Sequence, residues 1–127
     1  MHGLHILAEL HDCRCPRALL QHTARLKALC LEACAAGSLT VVAEAFHAFG
    51  NPDAPAGATG AIVLAESHLA IHTWPEIGTA GAVTLDLYVC NFSRDNRHAA
   101  ELTFQHLVNA LRPERVIRQD VRRGALE

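Results

Sequence analysis

The stretch that decides the fold is Ala65-Glu-Ser-His-Leu-Ala-Ile-His-Thr-Trp-Pro-Glu76. Residues two apart on an extended strand share a face. From Ser67 onward, one face would carry His68, Ala70 and His72, and the other Ser67, Leu69 and Ile71. Pro75 begins a turn that extends to Gly78. The stretch therefore predicts a strand over Ser67–Trp74.

Further strands are predicted on both sides of this one. Near the start, Leu4, Ile6, Ala8 and Leu10 share one face while His5, Glu9 and His11 take the other, which is the two-residue period of a half-buried strand. Other extended stretches are Thr40–Phe46, Ala61–Ala65, Val83–Cys90 and Arg115–Val121. Between the first two of these, the Pro- and Gly-rich stretch Gly50–Gly60 predicts a loop long enough to be functional.

Two helical patterns complete the chain. After Pro16, apolar residues recur at helical spacing from Leu19 to Ala33 and end before Gly37, which predicts the first helix. Ser93 or Asp95 would cap a second helix whose apolar stripe ends at Leu111, before Pro113.

The order of elements predicts an α+β fold with one domain over residues 1–127. We expect a two-layer α/β sandwich in which two helices cover one face of a mainly antiparallel sheet. The opposite sheet face would then need a cover. A second copy of the chain is the simplest one, so we expect a homodimer.

Composition excludes several classes of function. The chain has 127 residues, 11 Lys plus Arg against 13 Asp plus Glu, and a formal net charge of -2, so it lacks the basic excess of nucleic-acid-binding proteins. No apolar run approaches the roughly 20 residues of a membrane span, and the first residues lack the pattern of a signal peptide. We expect a cytoplasmic protein whose five cysteines stay reduced.

The decisive stretch also concentrates chemistry-bearing groups, namely one hydroxyl, two imidazoles and two carboxylates. Ser67 and His72 fall on opposite faces, so they would meet only if the backbone bends sharply near Glu66. His68 and His72 share a face, but their Cα atoms would be roughly 13 Å apart on a strand, too far to bind one zinc ion. We therefore expect no metal site.

The segment Glu66-Ser-His-Leu-Ala-Ile-His-Thr-Trp-Pro-Glu76 resembles the self-cleavage segment of the short prokaryotic S-adenosylmethionine decarboxylase proenzymes. The resemblance extends, in the same order, to Gly3-Leu-His-Ile-Leu-Ala-Glu9, Phe46-His-Ala-Phe49 and Leu85-Asp-Leu-Tyr-Val-Cys90. It therefore covers nearly the whole chain.

The resemblance implies that the chain cleaves itself between Glu66 and Ser67, giving chains 1–66 and 67–127. Ser67 would become a pyruvoyl group, which forms a Schiff base with the substrate amine and replaces any external cofactor. His72 would act as the base during processing, since an imidazole titrates near neutral pH. The substrate would be S-adenosylmethionine, decarboxylated for polyamine synthesis.

Three further roles follow from the resemblance. Cys90 would be the proton donor in catalysis, Glu76 would bind the ribose hydroxyls, and Phe49 would stack on the adenine. From the residues alone, a strand-end thiol is the lesser alternative for Cys90, whereas Phe49 is equally a packing residue.

Two other functions remain open from the sequence. The connection from Glu76 to Cys90 is a few residues longer than is usual in the family, which leaves room for a pyruvoyl-dependent decarboxylase acting on arginine or ornithine. The other alternative is a homologue that folds and binds a partner without processing.

Overall fold

Six strands form one sheet in which every neighbouring pair runs antiparallel. The computed structural model describes residues 2–91 and 94–124. In chain order the strands are β1 (Gly3–Cys13), β2 (Val41–Ala48), β3 (Ala58–Leu64), β4 (Ser67–Trp74), β5 (Ala82–Cys90) and β6 (Pro113–Arg123). They lie side by side in the order β2-β3-β4-β5-β1-β6. The predicted antiparallel α+β architecture is confirmed.

The alternation of side chains is also as predicted. In β1, Ile6 and Leu10 are fully buried on one face, whereas Glu9 on the other is exposed. In β4, Leu69 and Ile71 are buried, while His68 and His72 are half-buried on the opposite face. Removing a Leu or Ile side chain from water contributes about 1.5–3 kcal/mol, so a one-residue slip in register would be strongly unfavourable.

The described residues form three helices, one more than predicted. The first helical pattern is split into α1 (Arg17–Gln21) and α2 (Thr23–Ala36), because His22 between them is extended, with φ -107° and ψ 115°. The buried Thr73 hydroxyl donates a 2.6 Å hydrogen bond to the Leu20 carbonyl, which in a continuous helix would accept from the N–H four residues on. The third helix is α3 (Arg97–Leu111).

The termini of two elements also differ from expectation. The predicted loop Gly50–Gly60 is shorter, because β3 begins at Ala58. Gly60 lies within this strand. A glycine fits here because the Phe46 ring lies over it, and a Cβ would be 2.1 Å from that ring. Asn96 occupies the N-cap of α3, and Asp95 accepts a 3.0 Å bond from the Arg97 N–H. The alternative cap, Ser93, lies outside the described residues.

The helices cover one face of the sheet and leave the other open. The hydrophobic core lies between these layers and includes Leu26, Leu69, Leu87 and Leu107. On the open face Val63 and Ile117 are 50% and 46% exposed, so this face carries apolar side chains without a cover inside the described chain. Within residues 2–91 and 94–124, no helix has the length and apolarity needed to cross a bilayer.

Candidate active site

The hairpin between β3 and β4 holds its strain at one serine. Leu64 pairs with Ser67, so only Ala65 and Glu66 form the turn. Two-residue hairpins normally use Gly or Asn at positive φ, but here the positive φ falls on Ser67, at +152°. A non-glycine residue in such a region costs about 1–3 kcal/mol. The backbone is therefore strained immediately after the Glu66–Ser67 peptide bond.

The carbonyl of that peptide bond is polarised by the adjacent strand. The backbone N–H of Cys90 donates a 2.8 Å hydrogen bond to the Glu66 carbonyl oxygen. A donor at this distance stabilises negative charge that develops on the oxygen when a nucleophile attacks the carbon. Cys90 thus contacts the expected cleavage position through its main chain, and its half-buried side chain lies on the open face.

The side chain of Glu66 is held as well. Its Oε1 accepts a 3.0 Å hydrogen bond from the Thr40 N–H, and its Oε2 lies 3.6 Å from Nη2 of Arg94. The Arg94 guanidinium also donates to the Ser38 carbonyl. These contacts hold the side chain of the residue before the expected cleavage point.

Asn96 is a site residue that the sequence analysis missed. It is 2% exposed, and its Nδ2 donates a 2.8 Å hydrogen bond to the Cys90 carbonyl. Its own N–H is held by Oδ1 of Asn91. Asn96 therefore fixes the peptide unit that follows Cys90. The N–H of Cys90 itself bonds the Glu66 carbonyl. Nothing in the sequence distinguishes this asparagine from a simple helix cap.

His72 lies at the opposite end of β4 from Ser67. The two residues are five positions apart, roughly 16 Å along a strand, and belong to opposite faces. The bend that the sequence required near Glu66 is present, but it does not bring their side chains together within one chain. Nδ1 of His72 forms a 2.6 Å hydrogen bond with the Thr59 hydroxyl, and Nε2 has no hydrogen-bond partner among the described residues. The sequence analysis missed Thr59 because it assigned this residue to a loop.

Glu76 and Phe49 lie at the same end as His72. Glu76 is exposed in the turn that follows β4. Phe49 is 55% exposed, and its N–H donates to the Gly57 carbonyl. Gly57 in turn lies against the Thr73 carbonyl, so closely that a Cβ there would be 2.1 Å from that oxygen. This backbone contact places Phe49 beside the end of β4.

The expected site residues therefore form two groups at opposite ends of the sheet. The cleavage group consists of Glu66, Ser67 and Cys90. The binding group consists of Phe49, His72 and Glu76. A shallow depression of about 220 Å³ lies beside His72 on the open face, bordered by Ala70, Thr84, Leu85 and Asp86.

The connection from Glu76 to Cys90 begins with a turn between the end of β4 and the start of β5. Oδ1 of Asp12 accepts bonds of 2.8 and 3.0 Å from the N–H and hydroxyl of Thr79. Gly78 and Gly81 supply positive φ angles of 70° and 97°. Strand β5 then pairs with β4 without a register shift, from Trp74↔Ala82 to Ser67↔Val89.

The chain is similar throughout to one group of proteins. The family model described as S-adenosylmethionine decarboxylase matches residues 4–124. The S-adenosylmethionine decarboxylase proenzyme of a Sulfurihydrogenibium species is 36% identical over 124 residues, covering 98% of this chain and 84% of that protein. The proenzyme of Thermotoga maritima is 36% identical over 114 residues, covering 90% and 78%.

A solved structure gives the same result in three dimensions. The crystal structure of the adenosylmethionine decarboxylase from Aquifex aeolicus has a TM-score of 0.82 with this chain at 32% identity. The match covers 98% of this chain and 92% of the other.

Proposed function

The chain belongs to the S-adenosylmethionine decarboxylase family, and we propose that it decarboxylates S-adenosylmethionine with a pyruvoyl group made from its own Ser67. The product, decarboxylated S-adenosylmethionine, would supply polyamine synthesis. The observation that carries this proposal is the Glu66–Ser67 peptide bond. Its carbonyl accepts a 2.8 Å bond from Cys90 N–H, and its serine has a φ of +152°.

Processing begins with an acyl shift from nitrogen to oxygen. The Ser67 hydroxyl oxygen bonds to the Glu66 carbonyl carbon, the bond from that carbon to the Ser67 nitrogen breaks, and the hydroxyl proton ends on that nitrogen. Negative charge builds up transiently on the Glu66 oxygen, where the Cys90 N–H stabilises it. Breaking the peptide bond also releases the backbone strain at Ser67.

Elimination then separates the chains. A base removes the Cα proton of residue 67, the Cβ–Oγ bond breaks, and Glu66 leaves as the carboxylate end of chain 1–66. Water replaces the nitrogen of the resulting enamine, releasing ammonia and leaving the pyruvoyl group on chain 67–127. We assign the base to His72, whose Nδ1 is fixed by Thr59 while Nε2 points to no partner in the described chain.

The separation of His72 and Ser67 within one chain supports a second chain as the source of this histidine. His72 lies about 16 Å along the strand from Ser67 of the same chain. The open sheet face carries exposed apolar residues, and a second copy packed on it would bury them. A two-fold axis perpendicular to the strands in this interface would place the Ser67 end of one sheet against the His72 end of the other. We propose a homodimer in which each site combines the cleavage group of one chain with the binding group of the other.

In the mature site, the pyruvoyl ketone would capture the substrate amine and accept the electrons released as carbon dioxide leaves. The Cys90 thiol would give its proton to the Cα of the decarboxylated substrate, since it lies on the open face beside the cleavage position. The Glu76 carboxylate would accept hydrogen bonds from the ribose hydroxyls, and the exposed Phe49 ring would stack on the adenine. Cys90 is half-buried, and Glu76 and Phe49 are exposed.

The proposed compartment is the cytoplasm. All five cysteines are free thiols, which fits a reducing environment. The proposed partners are the substrate and a second copy of the chain.

Intact mass, which reports cleavage, and carbon dioxide release, which reports turnover, test the proposed function on the purified protein. Carbon dioxide release would be measured with S-adenosylmethionine, arginine and ornithine, with Ser67→Ala as the inactive control. We expect release from S-adenosylmethionine alone. Release from arginine or ornithine, with none from S-adenosylmethionine, would replace the proposed substrate and leave the pyruvoyl chemistry in place. A protein that stays uncleaved and releases nothing would be a non-processing homologue.

A further inference from the structure

Three potential metal ligands converge on the open face of the sheet. His5 on β1, His68 on β4 and Asp86 on β5 each offer one ligand atom, and these atoms lie within 4.8 Å of one another. Nε2 of His5 is 3.1 Å from Oδ2 of Asp86, and Nε2 of His68 is 3.7 Å from Oδ1. The carboxylate therefore lies between two imidazole nitrogens.

These separations suit a tetrahedral ion. Zinc binds imidazole nitrogen and carboxylate oxygen at about 2.0–2.2 Å, so two ligands at the tetrahedral angle lie about 3.3 Å apart. Each imidazole nitrogen lies near one oxygen of the Asp86 carboxylate, at 3.1 Å for His5 and 3.7 Å for His68, and the three ligand atoms lie within 4.8 Å of one another. Small side-chain rotations would be enough to accommodate the ion.

A second observation points to a cation beside Asp86. Oδ1 of Asp86 is buried and has no hydrogen-bond partner among the described residues. Leaving a carboxylate oxygen in that state is unfavourable, and a cation beside it would satisfy the oxygen. The other carboxylate oxygen, Oδ2, forms a hydrogen bond with Nε2 of His5, and coordination of that nitrogen to an ion would replace this bond.

The cluster is held in place by an aromatic neighbour. The Tyr88 ring lies 5.4 Å from the His5 ring and 5.9 Å from the His68 ring. The two imidazoles meet edge to face at 5.8 Å. Because both rings contact Tyr88, their orientations are restricted before any ion binds, which lowers the entropic cost of forming the site.

We propose that His5, His68 and Asp86 bind a divalent transition metal ion of the zinc class, whose fourth ligand is water or a group from the second copy that packs on this face in the proposed homodimer. The nitrogen-rich ligand set favours Zn²⁺ or Co²⁺ over Mg²⁺ or Ca²⁺, which prefer oxygen ligands. The proposed decarboxylation does not use this site. The expectation of no metal weighed His68 with His72 and pairs of cysteines, and it did not anticipate that β1 and β5 place other ligands beside His68.

The test is metal binding to the full-length protein as purified, after dialysis against a chelator. Titration with Zn²⁺ is followed by calorimetry, and Co²⁺ is followed by visible absorption, which reports tetrahedral coordination. His5→Gln and Asp86→Asn are the test variants. His106→Gln removes a partly exposed histidine on α3 and is the matched control. Circular dichroism verifies that each variant is folded.

We expect one ion per chain, a Co²⁺ spectrum of tetrahedral intensity, and at least tenfold weaker binding in both test variants but not in the control. Wild-type protein that binds no ion, or folded test variants that bind as tightly as the control, would overturn the proposal. Because the readout is binding and not turnover, the result is independent of whether the chain is a decarboxylase.

Discussion

The backbone N–H of Cys90 and the carbonyl oxygen of Glu66 are joined by a 2.8 Å hydrogen bond across the β4–β5 end of the sheet. This bond gives Cys90 two separable roles. Its main chain polarises the bond that we propose is cleaved, whereas its side chain would donate a proton after cleavage. A substitution that keeps the N–H should therefore affect the two stages unequally.

Cys90→Ala tests this separation. We expect cleavage at Ser67 to proceed within a few-fold of the wild-type rate, since the alanine N–H still bonds the Glu66 carbonyl. Turnover should fall by roughly 10²–10⁴, the range usual for loss of a general acid. Mass spectrometry follows cleavage, and carbon dioxide release follows turnover. A variant that remains a single chain would show that the thiol itself is required for processing.

Asn96→Leu should slow processing. The substitution leaves the Cys90 carbonyl without its 2.8 Å donor, at a cost of about 1–3 kcal/mol, and loosens the peptide unit that holds Glu66. We expect roughly tenfold slower cleavage, measured by time-resolved mass spectrometry.

The matched control for Asn96 is Thr103→Val on the same helix. The Thr103 hydroxyl is fully buried and has no hydrogen-bond partner in the described chain. Its removal should leave cleavage unchanged and should not lower stability. Equal slowing in both variants would mean that Asn96 acts only through the packing of α3.

Mixed dimers test the two-chain site. Ser67→Ala and His72→Ala chains, each inactive alone, should regain activity when coexpressed, because one of the two sites then has both wild-type residues. Ser67→Ala with Cys90→Ala should regain none, since Ser67 and Cys90 belong to the same group and neither site then has both wild-type residues. Activity is measured on tag-purified heterodimers. Failure of the first pair alongside stable dimers would place Ser67 and His72 in one chain.

Thiol alkylation should be selective. Burial raises the pKa of Cys13 and Cys30 to about 12 and that of Cys34 to about 11, and it also raises the pKa of Cys15. At pH 8 a thiol of pKa 12 is about 10⁻⁴ thiolate, and thiolate is the reactive form. Iodoacetamide at pH 8 should therefore modify Cys90 first, as peptide mass spectrometry would show. Early labelling of Cys30 would indicate that the core opens.

The sequence predicted the features that follow from local patterns, namely the two faces of the strands and the end of the last helix. The alternation in β1 and β4 fixed which side chains face the helices, and Pro113 marked the end of α3. It could not predict the break at His22, because that break depends on a hydrogen bond from Thr73, more than 50 residues away. Nor could it place Asn96 against Cys90 or Thr59 against His72, since these contacts exist only once distant segments pack.

The resemblance named the site residues but not their arrangement. A family pattern assigns Ser67 and His72 to one reaction, whereas strand geometry separates them by about 16 Å. That separation, together with the open apolar face, is what points to a second chain.

The most direct measurement is the intact mass of freshly purified protein, taken before and after borohydride treatment, with Ser67→Ala beside it. The wild-type protein should give two chains, 1–66 and 67–127. The second should be lighter than a serine-initiated chain by one ammonia and should gain two hydrogens on reduction, while Ser67→Ala stays whole. A wild-type protein that remains one unmodified chain after prolonged incubation, with nothing for borohydride to reduce, would contradict the account.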